Sequence, residues 1–227
     1  MRPVERDELL GMPVQVAPRL LGAQLITVVA GAETRLRITE VEAYHGKGTG
    51  PVPDPGSHAR MGPTARNATM WGEPGHLYVY LSHGIHSCVN IVCGPEGEAG
   101  GVLLRAGEVV AGVDAAALRR GAATPLSRIG LRDLARGPGR LGQAVGLTHA
   151  LHDGIDVVSG AERNGAVARL MLADQPMPDV SAGPRVGVAG IAGTMAFPWR
   201  FWITGDPTVS PFRWGRGAAE AALRQAQ

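Results

Sequence analysis

The stretch RLRITEVEAY, residues 35–44, alternates with the two-residue side-chain period of a β-strand. As one unbroken strand it puts Leu36, Ile38, Glu40, Glu42 and Tyr44 on one face, and Arg35, Arg37, Thr39, Val41 and Ala43 on the other. The first face begins like a hydrophobic core and ends in two carboxylates and a phenol. Such a carboxylate is either a structural partner for an arginine or a group held rigidly for chemistry.

Upstream, residues 17–21 read as a short helix leading into a strand near residues 25–29, and Gly31-Ala32 turns the chain into the decisive strand as a hairpin. Downstream, residues 45–75 are rich in Gly, Pro, Asn and Thr and lack periodicity; a loop of that length inside a compact domain is usually functional. HLYVYLS (76–82), SCVNIVCG (87–94) and VLLRAGEVV (102–110) follow as three strands. The tip HGIH and the turn GPEGEAGG are too short to cross over to a parallel partner, so the three form an antiparallel meander. GVDAAALRR (112–120), SRIGLRDLAR (127–136) and GPGRLGQAVGL (137–147) read as helical, with Pro138 suited to a first turn. IDVV, VARLML, RVGVAG and RFWIT read as further strands. The expected fold is α+β: one domain over residues 1–214, a curved, mainly antiparallel sheet flanked by helices, and a protruding β-hairpin. Residues 215–227 read as an exposed tail or short terminal helix.

A chain of 227 residues can bury a core of its own. No run approaches the roughly 20 apolar residues of a membrane span, and the first residues lack the apolar stretch of a signal peptide, so a cytoplasmic protein is expected. Cys88 and Cys93 stand an odd offset apart on strand-like sequence, which separates them onto opposite faces and argues against a disulfide. Net charge is only +2, yet residues 115–151 carry six arginines (119, 120, 128, 132, 136 and 140) against Asp133 alone. That segment is either a solvated helix face or a surface turned toward a polyanion. Lys47 is the only lysine. His58, His76, His83 and His86 cluster in sequence without the spacing of a zinc site, and no metal is expected. No phosphate-binding glycine motif and no GxSxG elbow occurs.

TEVEAY, SHARMG, ARNATMW, GHLYVYLSHGIHSCVN, VLLRA, GPGRLGQAVG, PRVGV and PWRFWITGDPTVS, in that order, resemble the 3-methyladenine DNA glycosylases of the alkyladenine (methylpurine) family over roughly residues 20–210. The resemblance implies base-excision repair of alkylated or deaminated purines. A damaged nucleotide is flipped out of double-stranded DNA, and water activated by Glu42 attacks C1′. Tyr44, His58 and Tyr80 would stack on the flipped base, and Asn90 would crowd the exocyclic amine of normal guanine. Leu103 would line the sugar side, Arg105 would contact the backbone, and Tyr78 and Arg66 would join the DNA-binding set. His83 stands where such enzymes typically carry a tyrosine that wedges into the duplex. No cofactor and no membrane partner is implied, and a monomer working at the nucleoid is expected. The competing readings are a catalytically inactive nucleic-acid-binding module of the same fold and a metal-dependent hydrolase built on the histidines.

Overall fold

The computed structural model describes residues 1–46, 53–121 and 129–225. Among the described residues, ten strands make one open sheet in an α+β fold, and every strand pairing is antiparallel. In chain order they are β1 (Arg2–Pro3), β2 (Gln24–Val29), β3 (Ala32–His45), β4 (Leu77–Ser82), β5 (His86–Val92), β6 (Gly100–Ala111), β7 (Ala135–Arg136), β8 (Ala166–Leu172), β9 (Val180–Gly183) and β10 (Arg200–Ile203). The sheet runs β1-β8-β2-β3-β6-β5-β4; β7 adds to β6, and β10 joins β3 to β9. Among the described residues five α-helices accompany it: α1 (Pro13–Val16), α2 (Val113–Arg119), α3 (Pro138–Val145), α4 (His149–His152) and α5 (Ala218–Gln225).

β3 is the spine, and it breaks the alternation expected of it. Ile38 stands opposite Gly107 and Glu40 opposite Ala106, so Thr39 is an extra residue; Val41 then stands opposite Leu104, so Arg105 is extra on the partner strand. A bulge of this kind moves all later side chains to the other face. Leu36 and Ile38 enter the main core, and beyond the bulge Val41 and Ala43 take over that face. Arg37, Thr39 and Glu40 all bond to the segment 206–210, through Asp206, Thr208 and Ser210. The expectation that Glu40 and Glu42 share a face with Leu36 and Ile38 is therefore corrected. The bulge lies where β3 leaves β2 and acquires β10, with Trp202 opposite Glu40 and Arg200 opposite Glu42.

The β4–β5–β6 meander is present, and its first hairpin turns through His83, Gly84 and Ile85. α3 packs on β5, and a Cβ at Gly142 would overlap the Ser87 carbonyl oxygen, so only glycine permits this approach. Several expectations fail. IDVV is a turn region with one bridge, Asp156 to His76. RVGVAG is a loop, and the strand lies earlier, at β9. The described part of SRIGLRDLAR is a 3-10 turn (Leu131–Asp133) followed by the two residues of β7, because Leu134 and Ala135 are drawn into the core beside β6. Of the two alternatives for residues 215–227, the described part holds the short helix: α5 buries Ala218 and Ala221.

Candidate active site

Glu42, Leu103, Asn90 and Tyr78 are consecutive cross-strand partners on β3, β6, β5 and β4. Directly opposed residues of paired strands project to the same face. This row lines a cavity of about 660 Å³, whose walls also include Tyr44, His58, Arg66, Tyr80, His83 and Arg105. All ten residues that the resemblance implied for the site thus meet at one cavity.

The two glutamates of β3 differ sharply in their relation to it. Both are fully buried. Glu40 accepts from Arg200 Nε at 2.6 Å, from Arg105 Nε at 3.1 Å and from the Ser210 amide at 2.8 Å, and it does not line the cavity. Glu42 does line it; the Val186 amide donates to one oxygen at 2.6 Å and the Tyr44 hydroxyl to the other at 2.8 Å, with Arg105 Nη1 at 3.5 Å. Burial opposes the charge of Arg105, but Glu42 and Glu40 outweigh it and raise the guanidinium above its ordinary range. With its side chain engaged by both carboxylates and by Ser210, Arg105 braces the site from the sheet side.

Aromatic rings form the walls. Tyr78 and Tyr80, two apart on β4, stack with centroids 5.3 Å apart, and His58 stands edge-on to Tyr80 at 4.5 Å. Desolvation, then the charges of Arg66 and Arg60, lower the His58 pKa and favour its neutral ring. Burial pushes the Tyr78 phenol up to about 12. Burial and then the charge of Glu42 hold the Tyr44 phenol well above its usual value, so it remains the donor to that carboxylate. Cys88, opposite Tyr80, lines the cavity, whereas Cys93 belongs to the core; the two thiols are free.

Three supporting residues carry no sign of their role in the sequence, although Asn67 lies in ARNATMW and Arg185 in PRVGV. The Arg185 and Asp54 side chains are fully buried and pair through two bonds of 2.7 and 2.8 Å. The same guanidinium lies 4.5 Å from the Tyr44 ring centroid and 5.0 Å from that of Trp199. Arg185 thereby backs Tyr44 and fixes the residue before Val186, whose amide meets Glu42. Asn67, also buried, shapes the loop carrying His58: its amide nitrogen donates to the His58 and Gly62 carbonyls and its oxygen accepts from the Thr64 amide. Only the polar, turn-rich composition of residues 45–75 signalled that such a loop existed.

The sequence matches the family described as Methylpurine-DNA glycosylase over residues 8–207. A protein of Leifsonia xyli subsp. xyli is 50% identical over 208 residues, covering 92% of each chain, and one of Nocardia farcinica is 47% identical over 229 residues, covering 100% of this chain and 99% of the relative. A third, from Streptomyces avermitilis, is 46% identical over 93% of this chain and 92% of its own. Each bears the name "Putative 3-methyladenine DNA glycosylase". The chain belongs to the methylpurine-DNA glycosylase family.

For a DNA glycosylase of this family the arginine-rich segment acquires a more detailed meaning. Arg119 is spent on the fold, donating to Thr34 Oγ1 and to the carbonyls of Ala144, Val29 and Ala32. Arg132, Arg136 and Arg140 surround the single carboxylate of Asp133 at 3.5–3.6 Å, and Arg128 lies outside the described residues. Arg66, by contrast, projects at the cavity from an exposed loop and donates to the Leu81 carbonyl of the hairpin. No helix among the described residues is long and apolar enough to cross a membrane.

Proposed function

We propose that the protein is a monofunctional purine-DNA glycosylase that receives a flipped alkylated or deaminated purine in the ring-lined cavity and hydrolyses its N-glycosidic bond. The observation that carries this reading is the buried Glu42 carboxylate on the cavity floor, with one phenol and one amide holding its orientation. Glu42 takes a proton from water as the water oxygen bonds to C1′. The C1′–N bond breaks, and its electron pair leaves with the base. The carboxylate also stabilises positive charge developing on the sugar. Tyr44, His58 and Tyr80 stack on the purine, at about 1–3 kcal/mol for each ring. Asn90, whose amide nitrogen donates to the Tyr78 carbonyl at 3.0 Å, is held against the base edge and excludes the exocyclic amine of guanine. Leu103 faces the sugar, Arg105 and Arg66 attract the backbone, and His83 fills the gap in the duplex from a left-handed backbone conformation, φ 50°, at the hairpin tip.

Strand cleavage by a glycosylase requires an amine that forms a Schiff base with the opened sugar. Lys47 lies outside the described residues, and the Met1 amine is paired with Asp174 at 2.6 Å. Water chemistry leaves an intact abasic strand. Duplexes each carrying one 3-methyladenine, 7-methylguanine, hypoxanthine or ethenoadenine test the reading. Base release with breakage only after alkali, and no adduct trapped by borohydride, is expected. Absence of release from every duplex, or a trapped adduct, overturns it. A cationic alkylated purine departs as a neutral base, whereas hypoxanthine needs a proton as it leaves, so the panel also separates these two demands on the site.

A further inference from the structure

The family match ends at residue 207, and chain beyond it is bonded to a segment of the cavity wall. Gly187, Val188 and Ala189 line the cavity. The Gly187 amide donates to the Arg213 carbonyl and the Gly190 amide to the Arg216 carbonyl, each at 2.9 Å, so PFRWGRG (211–217) lies along this rim as a strap. A Cβ at Gly215 would overlap the Val188 carbonyl; the glycine lets the strap lie flush. Beyond it, α5 anchors the chain by packing Ala218 and Ala221 against the 3-10 turn Gly190–Gly193, with Thr194 donating to Gln225 at 2.9 Å.

Apart from Phe212, whose ring centroid lies 5.9 Å from the Arg200 guanidinium, what the strap presents outward is not explained by folding. Trp214 is 47% exposed and Phe212 37%, and they pack edge to face with centroids 4.8 Å apart. Arg213 and Arg216 are exposed, and neither pairs with a carboxylate among the described residues, unlike Arg132, Arg136 and Arg140 around Asp133. The strap itself contains no acidic residue. Two uncompensated guanidiniums beside an exposed indole match a phosphate backbone with sugar or base faces next to it.

We propose that residues 212–216 are a DNA-contacting strap, in which Arg213 and Arg216 bind phosphates flanking the flipped nucleotide and Trp214 packs on the adjoining sugar or base. The assignment rests on the reading of the cavity as the pocket for that nucleotide. Binding of the full-length protein to a lesion duplex, in the Glu42→Gln background to prevent turnover, is measured from 50 to 200 mM salt. Arg213→Gln combined with Arg216→Gln lowers the slope of log K against log salt by about 0.9 for each phosphate that is no longer neutralised, and weakens binding roughly tenfold or more at the low-salt end. Trp214→Ala weakens binding while leaving the salt slope as it was. With Glu42 restored, the single-turnover rate at saturating enzyme falls less than the affinity does. Unchanged slope and affinity in the arginine pair, with the parent binding normally, overturn the strap alone. Equal losses in affinity and saturating rate assign it to bracing the rim and also overturn it. Failure of the parent to bind a lesion duplex overturns the cavity reading and the strap together.

Discussion

Glu40 and Glu42 sit two positions apart on one strand, both without solvent exposure, and their surroundings could hardly differ more. Around Glu40 every neighbour neutralises: two guanidiniums and a backbone amide converge on it, and it has no share in the cavity wall. Around Glu42 the strong cation stands farther off, a neutral phenol and an amide orient the carboxylate, and the residue forms part of the cavity wall. Burial alone therefore says nothing about role. A buried carboxylate closed in by cations holds the fold, and one set in a cavity wall can meet a substrate.

The sharpest way to break this contrast is to neutralise each glutamate in turn. Glu42→Gln is expected to lower single-turnover base release about 10³-fold, roughly 4 kcal/mol in the barrier, with little change in Tm. A rate within tenfold of the parent removes Glu42 from the general-base role. Glu40→Gln is expected to do the reverse. It leaves Arg105 and Arg200 buried without their shared partner, which costs about 3–5 kcal/mol. In a chain of this size that lowers Tm by roughly 10 °C. Base release by the folded fraction should stay within about tenfold. If Tm holds and the chemistry collapses, the two roles are exchanged.

A third glutamate sharpens the comparison from the outside. Glu8 also has two arginines, Arg2 at 2.6 Å and Arg19 at 3.1 Å, but both arginines are about half exposed. The hydrogen bond from Arg2 is the main cause holding the Glu8 carboxyl at about 2. A carboxyl depressed in the folded state stabilises above its unfolded value and loses that contribution as pH falls. The window here runs from about 4.5 down to about 2. Arg2→Ala should lower Tm at neutral pH by only about 1–2 °C, because water and salt screen an exposed pair. The gap between parent and variant should close across that acid window. A gap that persists at the acid end shows that Arg2 acts by packing rather than by charge.

The meander and the central strand were legible because side-chain alternation and glycine turns leave a strong imprint on sequence. The residues that the resemblance pointed to line one cavity because Glu42, Tyr44, Tyr80, Asn90 and Arg105 lie on those same strands. What escaped notice was non-local or carried by the backbone. Arg185 and Asp54 are 131 positions apart, and neither neighbourhood hints at the other. Residues 185–190 read as a strand from their valines, yet they are needed as a loop that offers an amide to Glu42. Arg119 read as surface charge in an arginine-rich run, but it is consumed by four hydrogen bonds to the fold. Thr39 looks like any strand residue, and nothing in its identity announces a bulge.

That bulge makes the site depend on counting. Thr39 acts as a frameshift in the alternation of β3, and the extra Arg105 on β6 restores the frame, so pairing resumes in its former register from Val41 onward. The carboxylate reaches the cavity because one residue too many precedes it, and the guanidinium beside it is the matching surplus on the neighbouring strand. Transplanting EAY alone onto another sheet would carry the letters without the frame and deliver the glutamate to a core. The portable unit is the pair of offset strands, with Thr39 and Arg105 included.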